Sequence, residues 1–509
     1  MTNSRTKNAT LNIIFAIFLQ AVTFIRGLIL PRMIIPAYGS DVNGLISSIT
    51  QFLAYISLLD AGVGGIFRAS LYKPLANGDT EGVSGIINEQ KRFYRKIGIT
   101  FIFYVAALCF VYPLIAKTEV SKPYIVSLIL ILSVSTFAEY FFSLPYASLL
   151  SADQKIRINY IVNIVYNIVN IFVALFWISL KADIRLIYLS MCIIGLLRPL
   201  FYVLYVKKHY ALNKKAVCDK GALSQRWNGV FHHFAFYIHM NTDSTILTLF
   251  ISTAAVSVYN IYNAIICGIY GLVLSVSNSV AAGLGNLLIT GDKERINDTV
   301  DMYELVQAGL ATVLYTITAL MLIPFVRIYT AEMTDMEYIQ PLFGYVLTAS
   351  GVVYCFRSIY STISMSANKF KETQTGAILE CVINLTLSLV LVIVFKTGLV
   401  GVAVGTVAGM LVRYIFEIVF LSKNILNRPV LKAVKIMLVS ILISVVSVVI
   451  CRFLIPYDTI NSAWQWVIFA FASAGVTIAV AVAGYTALYY KTIKMLLSKI
   501  RIFRRKSRA

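Results

Sequence analysis

From Leu11 to Pro36 the chain reads LNIIFAIFLQAVTFIRGLILPRMIIP, an apolar run long enough to cross a bilayer that carries an arginine, Arg26, near its middle. A membrane helix needs roughly 20 apolar residues, and a charge at its centre costs at least ~3 kcal/mol on insertion scales, so this guanidinium must face water, a partner or a ligand. By helical periodicity Gln20, Thr23, Arg26 and Gly27 share one side, leaving Phe15, Phe18, Val22, Ile25 and Ile29 to spread over the rest. One wall of a polar interior is implied. Further along, Phe236-Tyr237-Ile238-His239 answers Thr23-Phe24-Ile25-Arg26 at an offset of 213 residues. The two helices are expected to face each other across a cavity that receives an anion.

The rest of the chain has the composition of a polytopic membrane protein. Of its 509 residues 59% are hydrophobic and 13% charged, with a mean hydropathy of +0.79. The net charge of +21 would suggest nucleic-acid binding in a soluble protein, but here the basic residues sit mostly in short loops between apolar runs, where they report topology and leave no role for nucleic acid. The seven cysteines (Cys109, Cys192, Cys218, Cys267, Cys355, Cys381 and Cys451) lie mostly inside apolar runs without CxxC or metal spacing, and read as small core thiols. The N-terminal apolar run lacks a small-residue cleavage site and is too long for a signal peptide, so it is expected to remain as the first span.

Apolar runs separated by polar breaks predict an all-α fold of about fourteen transmembrane helices, among them 43–68, 228–251 and a long run at 254–289 that could include a cytosolic helical extension or a break at Gly283-Leu284-Gly285. Loop 69–96 reads as a short amphipathic helix on the inner surface. Lys and Arg concentrate on the N-terminus, the C-terminus and every second loop, which predicts cytosolic termini and, in a bacterium, the cytoplasmic membrane. The tail KTIKMLLSKIRIFRRKSRA then reads as a basic cytosolic helix near anionic headgroups, or as a simple stop-transfer flank.

An internal repeat carries the architecture. At offsets of 213 to 215, Arg26 meets His239, Gly78-Asp79 with Glu81 meets Gly291-Asp292 with Glu294, Ser151-Ala152 meets Ser366-Ala367, and Arg198 meets Arg413. Six helices per half is an even number, so the halves run in the same direction about an axis along the membrane normal. The expected division is an N-terminal lobe at 1–210, a C-terminal lobe at 211–425, two further helices at 426–490 and the tail at 491–509. Parallel six-helix halves with a cleft between them are a transporter design.

Several polar groups fall within the spans. The seventh predicted span is the most polar, with Asn228, His232, His239 and Asp243 spaced 4, 7 and 4 along one stripe. Such a stripe could hold a phosphate on protonated imidazoles or relay protons, or simply hydrogen-bond to neighbouring helices. Asp60, in LLDAGVGG, could pair with Arg26 or Arg68 or bind a coupling cation. Glu139 and Arg357 occupy matching spans and could line one cleft, with the arginine as a second anion contact, or form a salt bridge. Arg198 and Arg413 are placed to snorkel to headgroups or capture a lipid headgroup, and Glu380 with Asn384 is expected to be solvated. No GxxxxGK[ST], HExxH or nucleophile elbow occurs, so neither an ATP motor nor a hydrolase is indicated. No cofactor is expected beyond a coupling Na+ or H+.

The first-helix Arg26 in TFIRG, the LLDAGVGG segment, the GDxE loops at Gly78 and Gly291 and the loops at Ser151 and Ser366 together resemble the polysaccharide transporter family, the Wzx-type O-antigen and capsule flippases. That family belongs to the MOP superfamily, which also holds MATE drug exporters and lipid II flippases, and the likeness covers essentially the whole chain. It implies translocation of an undecaprenyl-diphosphate-linked oligosaccharide to the outer leaflet by alternating access, among membrane lipids and in company with a polysaccharide polymerase and glycosyltransferases. On this sequence Arg26 would hold the diphosphate, with Tyr237, Tyr259, Tyr262 and Tyr270 echoing an aromatic lumen. Histidine in place of a second arginine at 239 departs from a strongly basic lumen. The competing readings are a multidrug or small-cation antiporter using Asp60 or Asp243, a lipid II-type flippase, and a membrane glycosyltransferase or ligase. The last predicts a large outer loop, whereas the outer loops here are short apart from Ala331 to Glu337.

Overall fold

A computed structural model describes residues 2–60, 63–218, 241–290, 292–367 and 369–506, and among them there is no strand. Thirteen helices in this set are long and apolar enough to cross a membrane. The remaining expected span, 228–251, lies outside the described residues up to 240; from Asn241 it is helical and runs into a π turn at Leu247–Ile251. The chain forms two compact units, Met1–Ile261 and Tyr262–Ala509.

The first unit contains α1 (Thr2–Tyr38), α2 (Ser40–Ala54), α3 (Val63–Asn77), α4 (Thr80–Ile115), α5 (Lys122–Ala138), α6 (Leu144–Ala152), α7 (Arg157–Ser179), α8 (Ile184–Gly195) and α9 (Leu197–His209). Its core joins Leu45, Ile49 and Leu53 of α2 to Phe101 and Tyr112 of α4, Leu128 of α5 and Ile187 of α8, all almost fully buried. Polar contacts tie α2 to the 241–257 stretch. Asn43 donates to Ser257 at 2.5 Å and Gln51 to Asn241 at 2.8 Å, the hydroxyls of Ser48 and Thr248 meet at 2.7 Å, and Thr253 donates to Asp41. Gly44 makes this approach possible, because a Cβ there would lie 1.7 Å from the Thr253 carbonyl oxygen.

The second unit takes α10 (Thr253–Thr290) from Tyr262 onward, then α11 (Lys293–Tyr329), α12 (Pro341–Ser366), α13 (Phe370–Leu389), α14 (Leu399–Leu421), α15 (Leu431–Leu454) and α16 (Ala463–Lys506). The most apolar windows of α11 and α12 are 61% and 67% buried, against 11% for α1. The first two therefore form the centre of their unit, and α1 lines an edge of its own.

The repeated GDxE motif has a local cause. Asp79 and Asp292 each stand at the N-cap of a long helix, α4 and α11, and accept from backbone N–H groups of Gly82 at 2.8 Å and Arg295 at 3.1 Å. Gly78 supplies the left-handed turn before the first of these caps, with φ of +68°. Because α3 runs to Asn77 and α4 starts at Thr80, the predicted amphipathic helix in loop 69–96 is not a separate element: its residues extend the two flanking helices. The predicted span 43–68 is likewise divided, α2 giving way to a 3-10 turn at Tyr55–Leu59 that ends against Asp60. Across Gly283-Leu284-Gly285, by contrast, α10 is continuous. The helix α16 departs from helical backbone geometry at Tyr489, just before the basic tail.

Candidate functional site

The helix α7 carries Asn159, Asn163, Asn167 and Asn170 in an otherwise apolar span, at three- and four-residue spacings that put them on one face with Tyr166. Asparagine is costly in a membrane span unless its amide finds partners, and two of these amides hold arginines. Arg26 of α1 donates through Nη1 to Asn167 Oδ1 at 3.0 Å, and Asn167 Nδ2 donates back to Thr23 Oγ1 at 3.3 Å. Arg198, in the first turn of α9 just after the break at Leu196, donates through Nη1 to Asn163 Oδ1 at 3.1 Å. Both guanidiniums gather at the ring of Tyr166, 5.9 Å from its centroid for Arg26 and 4.1 Å for Arg198.

Two like charges are thus held near one ring by neutral amides. Neither arginine has a carboxylate partner among the described residues, and the Nε–H of each, like those of Arg357 and Arg428, is buried without an acceptor there. An unpaired buried donor on a charged group is expensive, and an anion bridging the two would satisfy both donors and offset the repulsion. Glu139 brings an acidic group to this neighbourhood, because the turn it opens packs against α9, the helix that carries Arg198. It is exposed and opens a π turn, Glu139–Ser143, inside a membrane-length segment, a placement that fits contact with water rather than acyl chains.

The other predicted polar residues take different places. Asp60 accepts from the Tyr94 hydroxyl at 3.1 Å and from the Gly64 N–H at 3.2 Å, and a Cβ at Gly64 would lie 2.8 Å from that hydroxyl, so the glycine makes room for the pair. Asp243 is buried and accepts from Tyr259 at 3.0 Å. His232, Tyr237 and His239, with Asn228, lie outside the described residues. Tyr262 is buried with its hydroxyl on the Tyr338 carbonyl at 2.8 Å, and Tyr270 packs edge-on to Tyr354.

Arg357, Arg413 and Arg428 of the second unit are neutralised by carboxylates of that unit. Arg357, 4% exposed, reaches both oxygens of Glu380 through Nη1 at 3.0 and 2.8 Å. Arg413 donates to Glu380 at 2.8 Å and to Glu417 at 2.8 Å, and Ser361 caps Glu417 at 2.8 Å. Glu380 is therefore 1% exposed instead of solvated, because two guanidiniums replace its water. Arg413 is buried between carboxylates rather than extended to headgroups, and Arg357 pairs within its own unit, with Glu380 23 residues along the chain. A second network holds Arg428 on Asp301 at 2.7 Å and on Glu304, which also accepts from Tyr360 at 2.7 Å.

Read for charge alone, the sequence places Arg198 among headgroup contacts and passes over Tyr166 and the asparagine stripe. The signal was present in NYIVNIVYNIVN, where asparagine recurs at helical spacing in a membrane segment.

No family profile and no curated protein matches this sequence. Solved structures do share its fold. The lipid II flippase MurJ, in an inward closed conformation, aligns with a TM-score of 0.71 at 16% identity over 94% of this chain and 100% of that one. An inward-facing multidrug resistance MATE family transporter of the MOP superfamily gives 0.64 at 13% identity, over 80% of this chain and 95% of the other. A MOP superfamily transporter from Pyrococcus furiosus, described by the reverse polarity of its binding pocket, gives 0.55 at 13% identity over 84% and 97% of the two chains. This chain therefore has the fold of the MurJ flippase and the MATE transporters.

Proposed function

We propose that the protein is a flippase that carries an undecaprenyl-diphosphate-linked oligosaccharide from the inner to the outer leaflet of a bacterial cytoplasmic membrane by alternating access. The diphosphate is held at Arg26 and Arg198. One observation carries this reading: two guanidiniums converge on Tyr166 with neutral amide acceptors and no carboxylate partner among the described residues. A diphosphate supplies acceptors for both, in the bidentate geometry that arginine favours. The shared fold with a lipid II flippase supports it. Drive comes from an ion gradient, with Asp60, Glu139 and Asp243 as the candidate sites for H+ or Na+. The N- and C-termini are cytosolic, and a polymerase and glycosyltransferases work upstream and downstream on the same glycan.

The MATE-like alternative, export of an organic cation, rests on the shared fold and on exposed Glu139. A cation site would place carboxylates, not amides, against Arg26 and Arg198. The two readings separate in a deletion strain assayed for lipid-linked oligosaccharide on the inner leaflet. Wild type restores export, Arg26→Ala inserts normally but restores none, and Arg26→Lys retains part of it. Full rescue by Arg26→Ala removes the anion site.

A further inference from the structure

An exposed surface of the second unit is concave. Val412, Ile415, Phe416, Val419 and Phe420 recur along α14 at three- and four-residue intervals, and Leu379 of α13 forms the facing wall of a groove of about 490 Å³. A bare glycine sets the position of one of its walls. At Gly376 of α13 a Cβ would lie 2.6 Å from Phe416 Cδ1, so the bare glycine lets the Phe416 ring settle against α13 as part of the groove's lining. The apolar stripe ends in a π turn, Ser422–Leu426, that puts Lys423 and Asn424 at its polar end. Lys423 is exposed and, unlike Arg357, Arg413 and Arg428, its ammonium faces no carboxylate among the described residues.

The dimensions and the charge specify an occupant. From Val412 to Lys423 the helix rises ~16 Å, about half of the ~30 Å hydrocarbon thickness of a bilayer. A groove that is apolar for one leaflet's depth and closes on a single free ammonium is complementary to a molecule with a long alkyl chain and an anionic head.

We infer that the α13/α14 groove is a binding site for an anionic glycerophospholipid, with one acyl chain along Val412 to Phe420 and the headgroup phosphate on Lys423. The charge bias of the loops assigns this end to the inner leaflet. The site lies wholly within the second unit and does not depend on what Arg26 binds.

Full-length protein in detergent micelles, titrated with palmitoyl-oleoyl phosphatidylglycerol or phosphatidylcholine and read by native mass spectrometry, tests the assignment. Wild type retains the glycerol lipid in preference to the choline lipid. Lys423→Ala loosens it about fivefold, the size expected for one basic residue at a membrane surface, and Lys423→Glu abolishes the preference. Val412→Trp, which fills the groove and leaves the charge, lowers retention of both lipids. Arg26→Ala leaves phospholipid retention unchanged, which separates failure here from failure of the flippase reading. Wild-type retention in Lys423→Glu overturns the proposal and does not require Val412→Trp to fold. So does displacement of phospholipid by undecaprenyl diphosphate in wild type but not in Val412→Trp, which would assign the groove to a polyprenyl chain. Loss of self-association in Val412→Trp with lipid retention intact would assign it to a second copy, and equally overturns the proposal.

Discussion

At the scale of single residues, the acceptor beside an arginine decides what that arginine can do. Arg26 and Arg198 rest on amides and keep their charge available, while Arg357, Arg413 and Arg428 rest on carboxylates and are cancelled in place. Substitutions at the acceptors test this contrast. Asn167→Asp changes little in shape but puts a carboxylate 3.0 Å from Arg26, so it is expected to suppress glycan export about as fully as Arg26→Ala while leaving thermal stability equal or higher. Export at the wild-type rate from this variant would mean that Arg26 does not need its charge free. Glu380→Gln does the opposite in the second unit. It leaves two buried guanidiniums around a neutral amide, and losing one partner of a buried ion pair costs ~3–5 kcal/mol, to be seen as a lowered unfolding temperature and a reduced folded yield. An unchanged unfolding temperature would show that the pairs are not closed to water. The presence of Arg26, Arg357 and Arg413 inside membrane segments was legible in the sequence. Their division into open and cancelled was not, because Glu380, Asn163 and Asn167 are ordinary residues until packing sets them opposite a guanidinium.

At the scale of elements, hydropathy and caps account for most of what was built. The apolar runs became helices, and the GDxE repeat became two equivalent N-caps at Asp79 and Asp292. Replacing either aspartate by alanine should cost ~1 kcal/mol. The caps belong to separate units, so the double variant should lose roughly the sum in a detergent unfolding series, and asparagine at either position should retain most of the stability. Where element boundaries departed from expectation, the cause lay in these same local devices. A cap at Asp79 starts α4 too early for an independent helix in loop 69–96, and the 3-10 turn at Tyr55–Leu59 divides a span that composition alone reads as continuous. Nothing in the apolar pattern distinguishes a straight span from one that breaks beside an aspartate.

At the scale of the whole molecule, the sequence carries its topology in its charges. In a variant freed of its seven native cysteines, Cys introduced at exposed Glu119 should react with an impermeant maleimide added to intact cells, and Cys introduced at exposed Asn213 should react only after lysis. Labelling of Asn213→Cys from outside would invert the orientation and with it the direction of proposed transport. What the sequence determined by itself was the all-helical membrane class and most of the spans, since hydropathy and helical period are local properties that each segment expresses alone. Only the tertiary structure decided which charges are spent on one another. Arg26 meets Asn167 from 141 positions away and Arg428 meets Glu304 from 124, and the free energy of a buried charge is fixed by those distant contacts rather than by its neighbours in the chain.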